Sequence, residues 1–204
     1  MGGRRRTLRD ELTDLPNVLT LWRVLVIPFV VYFIDNRSQV RSFVAMLLYL
    51  LAAVTDFLDG FLARQRGQVS ILGKFLDPLA DKLIVMAALV VLVDVDRLPV
   101  WMVVLLLARE LAITGLRSIA SSEGLVIAAG QWGKYKTALQ LVGISFCLVH
   151  FRYPLLGTRF WIDFNLIGYW VLCVSLVFSL LSAVRYVQFF IQATEERDKA
   201  ARQE

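Results

Sequence analysis

Four aspartates, Asp56, Asp59, Asp77 and Asp81, stand inside the stretch TDFLDGFLARQRGQVSILGKFLDPLADK at residues 55–82. The first two are three residues apart and the last two four apart. On an α-helix both spacings stack the two carboxylates on one face. Two adjacent helices, joined by a short connection around Arg66–Gly67–Gln68, would bring the pairs together. No histidine or cysteine accompanies them, so the set is all hard oxygen, which suits Mg²⁺ or Mn²⁺. Left alone, clustered carboxylates repel and raise one another's pKa. Two divalent ions ~3.5–4 Å apart relieve that repulsion and form a clamp suited to displacement at phosphorus. The plainer alternative is aspartates that solvate helix ends or pair with Arg64, Arg66, Lys74 and Lys82. Regular spacing and small neighbours weigh against it.

Those neighbours are Gly60, directly after Asp59, then Ala63 on the same face, and Gly73, four residues before Asp77. They leave room for a large ligand to approach the backbone. Arg64, one turn beyond Gly60, offers a planar fork that fits a phosphate. Each glycine alone would serve helix packing; together with the arginine they outline a pocket beside the carboxylates.

The elements that must hold this pocket are apolar. Of the 204 residues, 58% are hydrophobic, with mean hydropathy +0.64. Soluble domains reach ~45–50% even when glycine is counted. The expectation is an all-α, polytopic membrane protein with six spans, roughly Val18–Ile34, Ser42–Leu62, Phe75–Val93, Val100–Ile119, Trp132–Phe151 and Ile167–Phe190. Each is near the ~20 residues a bilayer requires. The chain reads as one domain: a short amphipathic surface helix over 1–16, ended by Pro16, a bundle over 17–190, and a tail over 191–204. Residues 1–15 are basic and polar, so no cleavable signal peptide is expected. Of the 22 Lys and Arg residues, fifteen fall on the side of the aspartates and both termini. Five fall opposite (Arg37, Arg41, Arg97, Arg152 and Arg159), and Arg23 and Arg109 lie within spans. The positive-inside rule makes the crowded side cytoplasmic. The net charge of +5 then reflects anionic lipid rather than nucleic acid. Cys147 and Cys173 sit in apolar runs as small hydrophobes rather than a disulfide or zinc site, and His150 reads as interfacial.

The series Asp56-x-x-Asp59-Gly60-x-x-Ala63-Arg64 … Gly73-x-x-x-Asp77-x-x-x-Asp81 resembles the signature of the CDP-alcohol phosphotransferase family, with all eight positions at the family's gaps. The resemblance implies a six-helix membrane enzyme, usually a homodimer. Such enzymes move a substituted phosphate from a CDP-linked donor to an alcohol and release CMP. It implies that Asp56, Asp59 and Asp77 bind two Mg²⁺ (or Mn²⁺), and that Asp81 both touches metal and takes the acceptor's proton. Gly60, Ala63 and Arg64 would hold the CDP moiety, with Gly73, Thr55 and Ser70 beside them. Asn17, Thr20 and Arg23 would border the cytidine, or merely cap and anchor the first helix.

Further segments are similar to the bacterial branch that joins CDP-diacylglycerol to sn-glycerol 3-phosphate: LPNVLTLWRVLVIP at Leu15–Pro28, REL at Arg109–Leu111, TGLR at Thr114–Arg117 and GKYKTALQ at Gly133–Gln140. A phosphorylated acceptor needs cations, and Arg109, Arg117, Lys134 and Lys136 are the candidates. Arg109 and Glu110 within an apolar run are costly unless they face a wet cavity. The same chemistry with inositol phosphate, serine or phosphatidylglycerol as acceptor is the alternative within the family. A divalent-cation carrier is the alternative outside it. Carrier sites usually lie near the bilayer midplane, and a carrier has no use for Gly60, Ala63 and Arg64.

Overall fold

The computed structural model describes residues 15–35, 37–66, 71–123, 131–154 and 161–201. Within these, the side chains of 15–17, 56–66, 71–78, 131, 198, 200 and 201 lie outside the description. Residues 1–14 of the amphipathic helix expected over 1–16, and Ser70, lie outside the described residues; Leu15 and Pro16, where that helix was expected to end, belong to the first described helix, Leu15–Phe33.

Six helices are described: α1 Leu15–Phe33, α2 Gln39–Arg66, α3 Ile71–Asp94, α4 Val100–Ser122, α5 Gln131–Val149 and α6 Phe164–Ala201. A two-stranded antiparallel hairpin, β1 Arg152–Pro154 and β2 Trp161–Asp163, links α5 to α6. The all-α expectation holds apart from this hairpin. Each helix has 19 residues or more. One, α6, contains a stretch long and apolar enough by itself to cross a bilayer (Phe164–Arg197), and α1 and α2 carry shorter apolar runs, Val18–Phe33 and Gln39–Thr55. In α3, α4 and α5 charged side chains interrupt the apolar pattern.

The inward faces follow the helical period. On α1, Thr20, Arg23, Val26 and Val30 are buried; on α3, Ala80, Ile84, Ala88 and Leu92. Alanines 45, 52, 80 and 88 are fully buried, and small side chains of this kind let helices approach closely. Among the described glycines, the closest approach joins α5 to α6. There a Cβ on Gly168 would lie 2.6 Å from Cys147 Sγ and 2.8 Å from the Gly143 carbonyl oxygen. α1 packs on α2 and α3, and α2 in turn on α5. The core is apolar, but large apolar side chains also cover the outside and several polar ones are buried. Leu25, Tyr32, Val40, Val100 and Trp170 are each more than 60% exposed, whereas Arg23, Ser42, Arg97, Ser175 and Ser179 are buried.

Local chemistry sets the helix ends. After Asp94 the Asp96 N–H donates to the Val93 carbonyl and the Arg97 N–H to that of Leu92. Asp96 takes a φ of 56°, which makes the end a Schellman turn. The turn sends Arg97 inward, where its guanidinium donates to the carbonyls of Asp35 (2.6 Å), Leu148 (2.9 Å) and Cys147 (3.2 Å) and to Ser42 Oγ (2.9 Å). One side chain thereby joins the ends of α1, α2, α3 and α5. Burial pushes the Arg97 pKa down to about 10, which leaves it charged at neutral pH. At the start of α6, Asp163 Oδ1 accepts the Leu166 N–H at 3.0 Å as an N-cap. That bond, with Arg152 beside it, holds the Asp163 carboxyl below its ordinary pKa.

Candidate functional site

The carboxylate pairs expected from spacing do fall on two consecutive helices. Asp56 and Asp59 belong to α2, and Asp77 and Asp81 to α3. α2 runs on to Arg66 and α3 begins at Ile71. Gly60, Ala63, Arg64 and Gly73 are therefore helical too, where hydropathy had ended the second span at Leu62 and begun the third at Phe75. The one-face argument applies to both pairs. The side chains of Asp56, Asp59, Ala63, Arg64 and Asp77 lie outside the description, as does that of Asn17. Among the described residues no group of three or more candidate metal ligands is assembled.

Asp81 is described, and it opens onto a cavity of about 260 Å³ enclosed by α1 to α5. Helical spacing explains why. On α3, Asp81 and Val85 are one turn apart; on α4, Leu106 and Glu110; on α5, Lys136 and Gln140; on α2, Tyr49 and Ala53. Each pair lines the cavity. Arg23 reaches it from α1 and Lys82 from α3.

The polar end of the cavity is a charged network. Glu110 forms ion pairs with Lys136 and with Arg109, the latter at 3.2 Å. Arg109 Nε also donates to the Ser179 carbonyl of α6 at 3.0 Å. Lys82 Nζ donates to Thr114 Oγ1 at 2.7 Å, and Thr114 donates in turn to the Glu110 carbonyl at 2.7 Å. The Ser175 hydroxyl of α6 donates to the Lys136 carbonyl at 3.0 Å, fixing α5 where Lys136 leaves it. Buried ions need such mutual pairing, because desolvation alone costs several kcal/mol per charge.

The structure separates the four cations expected to hold an acceptor phosphate. Lys136 is 6% exposed and lines the cavity. Arg109 lies behind it, sharing Glu110 and bonded to α6. Arg117 is exposed and lies over the Tyr186 ring at 5.9 Å, and Lys134 is exposed. Thr20 is fully buried on α1. Thr55 Oγ1 donates back to the Ala52 and Leu51 carbonyls at 2.8 and 3.0 Å. Sequence reasoning passed over Tyr49, Lys82 and Gln140 as site residues, and named Glu110 only as a costly charge. The i, i+4 relation of Gln140 to Lys136 was the available signal.

A model of the CDP-alcohol phosphatidyltransferase family matches residues 13–189. The CDP-diacylglycerol–glycerol-3-phosphate 3-phosphatidyltransferase of Bacillus subtilis (strain 168) is 41% identical over 149 residues, covering 67% of this chain and 77% of that protein. The protein of the same name from Mycoplasma pneumoniae is 31% identical over 208 residues, covering 93% and 90% respectively. The probable phosphatidylglycerophosphate synthase of Mycobacterium tuberculosis is 32% identical over 182 residues, covering 88% and 82%.

Proposed function

Because this chain belongs to the CDP-alcohol phosphatidyltransferase family, we propose that it transfers the phosphatidyl group of CDP-diacylglycerol to sn-glycerol 3-phosphate, giving phosphatidylglycerophosphate and CMP. The observation that carries this reading is that exposed Asp81 and buried Lys136 line one and the same cavity. A base and a phosphate-binding cation in one space are what a phosphorylated alcohol requires. The acceptor oxygen attacks the phosphorus that bears the diacylglyceryl group, and the bond from that phosphorus to CMP breaks. Asp81 takes the proton from the attacking hydroxyl, whose own pKa is far above neutrality.

The donor set formed by Asp56, Asp59, Asp77 and Asp81, all oxygen and on two consecutive helices, fits Mg²⁺ or Mn²⁺. Two such ions, when bound, supply neutralisation at the diphosphate and at departing CMP. Gly60, Ala63, Arg64 and Gly73 follow those carboxylates along the same helices and are assigned to the CDP moiety, with Ser70, Thr55, Asn17 and Thr20 at its edge. Lys136 is assigned to the acceptor phosphate and Arg109 to support it through Glu110. Arg117 and Lys134, both exposed, are assigned to drawing the dianion toward the cavity.

The protein is read as an integral membrane enzyme of the cell (inner) membrane with six spans. Both termini and the site are placed on the cytoplasmic side by the charge asymmetry, and a homodimer is suggested by family resemblance. Helix lengths, the apolar exterior and the polar interior support the spans. Acyl chains stay in lipid while the headgroup reaches the aspartates from the side.

Purified protein given CDP-diacylglycerol and a panel of acceptors tests the proposal through CMP release. The panel is sn-glycerol 3-phosphate, inositol phosphate, serine and phosphatidylglycerol. Release is expected with glycerol 3-phosphate. Release with another acceptor alone overturns the acceptor, and no release with any overturns the enzyme reading.

A further inference from the structure

Two buried polar groups in the cavity have no part in the chemistry above. Tyr49 is 2% exposed and Gln140 8%, and both line the cavity. Their polar atoms are not among the sealed, unpaired ones of the described residues: they open onto the cavity. Polar groups that open onto a cavity are placed to bond whatever fills it, so two of them facing one space point to a partner that arrives from outside the chain.

Their placement defines that partner. Gln140 follows Lys136 by one turn of α5, so the amide lies next to the proposed phosphate cation on the same face. Tyr49 comes from α2 and lines the same cavity as Asp81, the proposed base. Val85, Leu106 and Leu141 give the wall an apolar part, and Arg23, Lys82, Glu110 and Thr137 also line it; of the polar groups, Gln140 is the one a turn from Lys136 and Tyr49 the one that comes from α2. A ligand spanning this space has its anionic end at Lys136 and its reacting hydroxyl at Asp81. Between the two it meets neutral donors and an acceptor. On glycerol 3-phosphate the group between phosphate and attacking hydroxyl is the middle, unreactive hydroxyl. It needs one donor and one acceptor, which an amide and a phenol supply.

We infer that Tyr49 and Gln140 form the subsite for the middle hydroxyl of the acceptor, and so select a polyol phosphate over a simple hydroxyalkyl phosphate. The inference rests on the proposed acceptor reading. A site built to hydrogen-bond a hydroxyl discriminates strongly against an analogue that lacks it, because its own polar groups are then left unpaired.

The test compares glycerol 3-phosphate with 3-hydroxypropyl phosphate, which lacks only the middle hydroxyl, by CMP release from CDP-diacylglycerol. The wild-type enzyme should prefer glycerol 3-phosphate in kcat/KM by roughly tenfold to a hundredfold, the cost of leaving the subsite's polar groups unpaired. In Gln140→Leu and in Tyr49→Phe that preference should collapse to a few-fold, by loss on the glycerol 3-phosphate side. Turnover of the analogue reports that the site has folded. If Gln140→Leu does not fold, Tyr49→Phe, which removes a single oxygen, decides alone. Wild-type turnover of glycerol 3-phosphate with an undiminished preference in the folded variants overturns the subsite only. Wild-type failure to use glycerol 3-phosphate overturns the acceptor reading and the subsite with it.

Discussion

Replacing Asp81 by asparagine keeps the side chain's size while removing its charge and its capacity to take a proton. The two roles proposed for it should then fail together. Losing a general base typically costs ~10²–10⁴-fold in rate, and the proposed metal contact should push Asp81→Asn beyond the low end. Donor binding, measured by equilibrium titration with CDP-diacylglycerol, should change less than turnover. Asp56→Asn, Asp59→Asn and Asp77→Asn should each nearly abolish turnover, with only partial recovery at raised Mg²⁺; full activity in any two of them rejects a two-metal site. A second contrast lies two residues apart on α5, where Lys136 is buried against Glu110 and Lys134 is exposed. A charge-assisted hydrogen bond contributes ~1.5–3 kcal/mol. Lys136→Gln should therefore lower kcat/KM for glycerol 3-phosphate roughly tenfold to a hundredfold, leaving the KM for CDP-diacylglycerol near its original value. Lys134→Gln, a screened surface charge, should change it only a few-fold and mainly at low salt. Kinetics with each substrate varied in turn separate the two, and equal losses would remove the distinction drawn between them.

Among the described glycines, the tightest contacts are those between α5 and α6. A methyl group on Gly168 would meet Cys147 Sγ at 2.6 Å, Cys147 N at 2.7 Å and the Gly143 oxygen at 2.8 Å. Two of these are backbone atoms that cannot swing aside, so Gly168→Ala must separate the helices. Overpacking of this kind costs ~1–3 kcal/mol. Gly115, on α4, has nothing within 4 Å of such a methyl, and Gly115→Ala should hold or gain stability through helix propensity, by up to ~1 kcal/mol. Thermal unfolding in detergent should place Gly168→Ala below wild type and Gly115→Ala level with it or above; the reverse order would mean the joint is loose. This glycine contact was invisible in the sequence, where Gly143 and Gly168 are two glycines in separate apolar runs. The helices themselves were legible because each is built on an apolar run near the ~20 residues a bilayer requires. Their ends were not: hydropathy stops at Leu62 and resumes at Phe75, whereas backbone hydrogen bonding continues to Arg66 and restarts at Ile71. The same cause hid the extension of α6 through Ala201, over residues read from the sequence as a tail. The hairpin at Arg152–Asp163 is too short to show alternation. The carboxylate series was legible because charge in an apolar chain is expensive and regular spacing of it is informative. Tyr49 and Gln140 were not, since one tyrosine or glutamine in a span reads as ordinary packing until the cavity places them together.

For the molecule as a whole, the question is which way the cavity opens. The Arg97 junction ties together the helix ends remote from the aspartates, and the hairpin with exposed Trp161 lies beside it. At the other end, Arg197 of α6 pairs with Glu123 at the end of α4 at 2.8 Å, on the side crowded with Lys and Arg. Positive charge is retained on the cytoplasmic face, so the two ends should label from opposite compartments. In a background with Cys147 and Cys173 replaced by alanine, Trp161→Cys should react with a membrane-impermeant maleimide in sealed, right-side-out vesicles. Glu196→Cys, at an exposed position next to Arg197, should react only after permeabilisation. The opposite pattern would invert the protein. It would also undercut the proposed reaction, because glycerol 3-phosphate is a water-soluble dianion. Moving even one charge through the hydrocarbon core is costly, so the acceptor has to enter from the compartment in which it is made. Orientation and chemistry are therefore one claim: the face that keeps the cations must also be the face through which the acceptor reaches Asp81.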